Sequence, residues 1–164
     1  MAQPVRKSHR HLRLLTAEQP EFVVAEESLF KVIDELPALF LRYGQEHANA
    51  PLEPDWQSML HMAAAGGFRL VTARDKGVMV GFCANVITRP LMYRTTLYGT
   101  TIALWLDKSH RFGLNGYRLL KRNRELLEAW GCKRLYLASD QERLGMLFER
   151  LGYKYVESHY MRVV

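Results

Sequence analysis

The 164-residue sequence predicts an α/β (α+β) fold: a mixed, mostly antiparallel central sheet flanked by helices. Three observations carry this. Segments rich in β-branched and aromatic residues alternate with segments whose apolar residues recur at helical spacing. Two strand-like runs flank Asp75-Lys76-Gly77, a tight turn that supplies a glycine where positive φ is needed. A third strand-like run feeds a glycine-containing turn and then an amphipathic helix, the βα unit that binds phosphates in many unrelated folds.

Taken in order, "EFVVAEE" reads as a short strand over Phe22–Ala25. "ESLFKVIDELPALFLRYGQEH" reads as a helix, with Leu29, Val32, Ile33, Leu36, Leu39 and Phe40 at helical spacing. Pro37 bends or splits it, because proline lacks the N–H and clashes with the preceding turn. "HANAPLEP" is a loop. Asp55 then caps a helix that stops at Gly66-Gly67. "FRLVTARDKGVMVGFCANVI" is a hairpin and "TTLYGTTIALWL" a further strand. Gly116 to Trp130 is helical, with Leu119, Leu120, Leu127 and Trp130 on one face and Gly131 at its end. "KRLYLAS" is a buried strand, "QERLGMLFERLG" a short helix, and "YKYVESHYMRVV" a closing strand or hairpin. The order is β-α-α-β-β-β-α-β-α-β.

Length implies one domain, expected over residues 21–164, preceded by a basic arm over 1–20 carrying Arg6, Lys7, Arg10 and Arg13. The net charge of +6 favours anionic partners. The arm reads either as a solvated tail or as a contact for nucleic acid or another macromolecule. No apolar run approaches the roughly 18 residues of a membrane span, and the basic N-terminus lacks the apolar core of a secretory signal. A cytoplasmic protein with no membrane partner is therefore expected. Cys83 and Cys132 sit in apolar segments and read as buried thiols. No histidine or cysteine spacing suits a metal, and no G-x-S-x-G elbow, Walker A sequence or Rossmann unit is present.

The segment "SHRFGLNGYRLLKR" points most directly at a ligand. The first turn of a helix leaves N–H groups unpaired and carries the positive end of the helix dipole. Glycines there let a phosphate approach the backbone, and Arg or Lys add charge-assisted contacts. In its context, "LWLDKSHRFGLNGYRLLKRNRELLEAWGCKRLYL" resembles the acetyl-CoA-binding core of the GNAT N-acetyltransferases, with an R/Q-x-x-G-x-G/A turn between strand and helix. "LFERLGYKYV" resembles that family's closing helix and strand. "GGFRLVTARDKGVMVGF" and "RPLMYRTT" are similar to small GNAT-like proteins encoded by phages.

The resemblance implies a GNAT-like fold and transfer of an acetyl group from acetyl-CoA, as co-substrate and without a metal, to an amine. It implies a divergence between "TTIALWL" and "KRLYLAS" for the pantetheine, which would pair with the backbone at Trp105 and Leu106. The pyrophosphate would lie on Arg111, Phe112, Gly113, Leu114, Asn115 and Gly116. Anchoring the turn on Arg111 puts Leu114 and Gly116 at its glycine positions; anchoring on His110 puts Gly113 and Asn115 there. The Arg111 register keeps the family's spacing to Leu119 and Leu120. Gly116 is expected to serve backbone approach and close packing of the helix on the sheet. Arg118, Lys121 and Arg122 either reach the 3′-phosphate or pair along the helix surface with Glu125, as Arg124 would with Glu128. Phe148 stands where the family has a tyrosine that protonates the thiolate. Tyr98, Asp107 and His61 are the candidates for proton transfer, although Asp107 also reads as a turn former and His61 as a packed core residue. The alternative is a non-catalytic binding or structural protein on the same fold.

Overall fold

The computed structural model describes residues 21–47, 51–139, 141–157 and 162. Strand β1 (Phe22–Glu27) leads into helices α1 (Leu29–Val32), α2 (Leu36–His47) and α3 (Trp56–Ala64). Strands β2 (Phe68–Asp75), β3 (Val78–Thr88) and β4 (Tyr98–Leu106) follow, then a 3-10 turn (Lys108–His110), α4 (Asn115–Ala129), β5 (Arg134–Leu137) and α5 (Glu142–Arg150). The five strands lie in chain order. The first three pairings are antiparallel and β4 pairs with β5 in parallel.

Local sequence decides several of these boundaries. The segment read as one helix is two, α1 and α2, with Pro37 in the first turn of α2, where its missing N–H has no partner to lose. Asp55 caps α3 by accepting from the Ser58 N–H at 2.9 Å. Lys76 and Gly77 both take positive φ, 48° and 84°, so a two-residue turn joins β2 to β3. The basic arm over 1–20 lies outside the described residues, as do residues 158–161 and 163–164 of the expected closing strand. Within that segment, 153–157 form no regular element.

Both faces of the sheet are covered. On one, Phe68, Leu70, Phe82, Ala84, Ala103 and Trp105 pack under Leu29, Val32, Leu36 and Phe40, with Trp56, Met59 and Met62 beside them. Phe40 stacks on Phe82 with ring centroids 4.8 Å apart. On the other face, Val71, Ala73, Val80, Cys83 and Leu106 pack against Leu119, while Leu120 joins Phe148 and Leu151 of the α5 region. Cys83 and Cys132 are buried free thiols, as expected.

Partly buried charges tie the N-terminal elements down. Arg74 donates to Glu27 and to Glu35, at 2.9 and 2.7 Å, linking β2 to β1 and to the turn between α1 and α2. Hydrogen bonding to Arg74 holds the Glu35 carboxyl below its ordinary range against a smaller opposing effect of burial.

Two strand glycines exist because neighbours leave them no room. A Cβ on Gly81 would stand 2.7 Å from Leu106 Cδ1 and 2.8 Å from the Trp105 carbonyl, whereas the nearest atoms to one on Gly99 belong to the side chains of Leu127, Cys132 and Leu135. Gly81→Ala is therefore expected to lower the free energy of unfolding by about 1–3 kcal/mol, the usual cost of overpacking against atoms that cannot move. Gly99→Ala is expected to cost less, because side-chain ends can rotate away. Urea unfolding of both variants checks the order.

Candidate functional site

The site begins where the sheet forks. β5 pairs with β4 over four residues only, Tyr98↔Arg134 to Thr101↔Leu137. From Ile102 onward the β5-facing edge of β4 has no partner strand among the described residues, which is the divergence expected between these two strands. A β-bulge marks the same place. Ala84 pairs with Ala103 and Asn85 with Thr101, so Ile102 is the extra residue. The bulge reverses the inside-outside alternation. Thr101 faces α4, yet Ala103 and Trp105 face the α1–α3 side.

The open edge ends at the glycine turn. Gly113 has φ 58°, in the left-handed region, and Leu114 caps α4 without any side-chain hydrogen bond. At the helix start, the Asn115 and Arg118 N–H groups bond to the Phe112 and Leu114 carbonyls. The Gly116 and Tyr117 N–H groups have no acceptor among the described residues. A Cβ on Gly116 would meet nothing within 4 Å. Packing on the sheet, expected of Gly116 from sequence, is thus absent, and open space lies before the backbone instead. Phe112 and Leu114 are exposed. A cleft of about 410 Å³ beside the turn is lined by His110, Phe112, Asn115 and Arg118, with Glu21, Phe22 and Asp75 opposite. His110 Nε2 lies 3.0 Å from Asp75 Oδ2. Arg118 has no carboxylate partner among the described residues. Lys121 and Arg122 instead approach Glu125 at 3.9 and 3.6 Å, the helix-surface pairing weighed from the sequence.

Arg111 turns away from the cleft. Its Nε donates to the Leu106 carbonyl at 2.6 Å and its Nη2 to Glu46 Oε2 at 2.6 Å. Glu46 Oε1 also accepts from Trp105 Nε1 at 3.1 Å. Burial would raise the Glu46 pKa, but the Arg111 and Trp105 hydrogen bonds and the Arg111 and Lys108 charges outweigh it, and the carboxyl titrates below its ordinary range. One helical turn earlier, Arg42 donates to Asp107 at 2.9 Å. Two ion pairs of opposite polarity therefore fix the end of α2 across the end of β4. Neither Arg42 nor Glu46 had a local signal, because both meet partners 65 residues away.

The remaining candidates are dispersed. Asp107 caps the 3-10 turn by accepting from the Ser109 N–H and hydroxyl, at 2.9 and 2.5 Å. Those bonds, with the Arg42 charge adding to them, hold its pKa low and make it a weak base. Tyr98 lies at the closed end of the fork, eight residues or about 27 Å of strand from Leu106. It accepts from Arg134 at 2.8 Å, stacks between Tyr93 and Tyr136, and has its hydroxyl pKa raised by burial. His61 is exposed on α3, not packed in the core as the apolar surroundings of its sequence suggested. Phe148 is buried with Leu120 and Leu151, beside Leu104 of the open edge. Tyr153 lies next to it with ring centroids 6.2 Å apart, and burial pushes its hydroxyl up to about 12. No metal-binding group of acids, histidines or cysteines occurs among the described residues, and none of their helices is long and apolar enough to cross a membrane.

No family model matches the sequence, and no curated protein matches it. Solved structures do. An aminoglycoside acetyltransferase from an uncultured soil metagenomic sample superposes with a TM-score of 0.69 at 18% identity, over 87% of this chain and 98% of that one. A ribosomal-protein-alanine N-acetyltransferase from Brucella melitensis biovar Abortus 2308 gives 0.66 at 20% identity, over 87% and 99%. Glucosamine-6-phosphate N-acetyltransferase from Arabidopsis thaliana gives 0.67 at 11%, over 87% and 97%. These neighbours lend no support to a phage origin. What they share with this chain is its shape over most of its length, so the mixed five-stranded sheet with its flanking helices has the GNAT N-acetyltransferase fold.

Proposed function

We propose that this protein is an N-acetyltransferase that moves the acetyl group of acetyl-CoA to an amine. The observation that carries this reading is the junction of an unpaired strand edge with an open glycine turn: β4 loses β5 after Thr101, and the edge runs to a helix start with free N–H groups. The free edge suits the amide groups of a pantetheine arm, paired to backbone from Ile102 to Leu106. The turn over residues 111–116 suits the pyrophosphate through its backbone N–H groups and the dipole of α4. Arg118 supplies a nearby cation that forms no ion pair among the described residues, with Asp75 and Glu21 lining the same cleft.

Acetyl-CoA brings the activated thioester, so the chain has to orient it, admit the amine and accommodate the proton. The thioester would sit near the bulge at Ile102, the end of the free edge. The amine attacks in its neutral form. Tyr98 is held at the closed end of the fork and Asp107 is committed to a cap, so in this reading the amine's proton leaves through water. The thiolate is a fair leaving group and departs without the usual tyrosine, Phe148 packing beside it. The acceptor is assigned by class alone, an amine, because the three neighbours are described with an aminoglycoside, a ribosomal-protein alanine and glucosamine-6-phosphate. Phe148 and Leu114, at motif positions usually held by tyrosine and glycine, favour one other reading: a protein that binds CoA and no longer turns it over. The basic arm and any macromolecule it contacts lie outside the described residues.

Calorimetric titration with acetyl-CoA tests the first step, with saturable one-to-one binding expected. Gly116→Val should fold normally, since its side chain enters open space, yet lose about tenfold or more in affinity by blocking phosphate approach. Equal affinity in both proteins would remove the turn from the site.

Turnover of acetyl-CoA against a panel of amines separates the two readings. Wild-type turnover is expected. Phe148→Tyr should raise it if thiolate departure limits the rate, by about a hundredfold or more, the usual worth of a general acid. Tight binding with no turnover in either protein would establish the non-catalytic reading.

A further inference from the structure

Beneath the fork lies a polar cluster in an otherwise apolar core. Asn85 of β3, Thr101 of β4 and Asn123 of α4 are 0%, 7% and 0% exposed. They bond in a closed ring. Asn85 Nδ2 donates to Asn123 Oδ1 at 2.8 Å, Asn123 Nδ2 donates to Thr101 Oγ1 at 3.1 Å, and Thr101 Oγ1 donates to Asn85 Oδ1 at 2.7 Å. The Asn85 amide also donates to the Arg69 and Cys83 carbonyls, at 3.3 and 3.2 Å. Bonds that close on themselves polarise one another, and each of the three side-chain donor atoms here has an acceptor.

The ring's position is specific. Thr101 is the last residue of β4 that pairs with β5, and the bulged Ile102 follows it. Asn85 is the β3 residue at which the register shifts. Asn123 breaks an apolar stripe, standing between Leu119 and Leu127 one turn away on either side, both fully buried. It lies eight residues, about 12 Å along the helix, from Asn115 at the glycine turn. Apolar residues would fill this space at little polar cost, since replacing the three side-chain partners together is often neutral for stability and the Arg69 and Cys83 carbonyls lie within the β2–β3 ladder. Burial alone therefore does not account for three polar residues at the fork. Directional bonds do what apolar packing cannot: they set one register among strand, bulge and helix.

We propose that Asn85, Thr101 and Asn123 are positioning residues for the transfer site, fixing the point where β4 leaves β5 and the distance from that point to the turn at the head of α4. The proposal rests on the acetyl-CoA reading for its consequence, but the ring's hold on the fork is measurable without ligand. Three variants are compared with the wild type: Thr101→Val, Thr101→Ser, and the apolar triple Asn85→Leu, Thr101→Val, Asn123→Leu. Each is measured for thermal unfolding, for amide hydrogen exchange by segment, and for acetyl-CoA affinity by calorimetry.

The triple variant should unfold near the wild-type temperature, yet exchange amides of Ile102–Leu106 and Arg134–Leu137 about tenfold faster, with β1 and β2 unchanged. Its affinity for acetyl-CoA should fall about tenfold or more. Thr101→Val should move exchange and affinity the same way and also lower the unfolding temperature, because two amides lose a partner; Thr101→Ser should restore all three readouts. Wild-type exchange in a folded triple variant overturns the proposal, and so does wild-type affinity in a variant whose fork exchanges faster. If the triple variant does not fold, Thr101→Val decides by the same two readouts. Faster exchange at the fork, with no acetyl-CoA binding even by the wild type, would support the ring's hold on the fork and remove the acetyl-CoA reading alone.

Discussion

The separation of β4 from β5 after Thr101 is the constraint on which the rest of this structure depends. A parallel pair that stays together for four residues and then opens leaves peptide groups along one strand edge with no strand to bond among the described residues. Such an edge must take up water or a ligand, and here it leads to a helix start where the Gly116 and Tyr117 N–H groups have no acceptor among the described residues. The bulge at Ile102 makes the opening compatible with a continuous core. By reversing the alternation it turns Ala103 and Trp105 into the α1–α3 side while Leu106 packs against the α4 side.

The two ends of the open edge are held by different kinds of force. At the closed end, Tyr93, Tyr98 and Tyr136 stack in series and Arg134 lies over two of the rings. At the open end, α2 grips the strand terminus through Arg42–Asp107 and Glu46–Arg111. The first pair is largely exposed and contributes little. The second is less exposed and shares its carboxylate with Trp105, so it has a fixed geometry. The arrangement lets the groove stay open without letting its ends drift.

Features with local causes were legible in the sequence. Pro37 marked the break between α1 and α2, Lys76-Gly77 the hairpin, Asp55 the cap of α3, and "RFGLNG" the turn before α4. Features with distant causes were not. Nothing in "YGTTIALWL" distinguishes Ile102 as a bulge, since isoleucine is at home in a regular strand and the register is set by β3. Asn85 and Asn123, 38 residues apart, look like ordinary polar interruptions until the fold brings them together. His61 was read from its apolar neighbours in sequence, and it faces solvent because α3 presents another face to the core. Gly116 was legible as a special position for backbone approach, while the close packing also expected of it is absent because the space before it is open.

If the free edge of β4 and the glycine turn form one continuous site for acetyl-CoA, both segments must respond to it together. Titration of the isotopically labelled protein with acetyl-CoA, followed through backbone amide resonances, tests it most directly. Saturable shifts are expected at Ile102–Leu106 and at Gly113–Tyr117 that share one binding curve, with β1 and β2 little changed. Shifts confined to another part of the surface, or none at either segment, would contradict it.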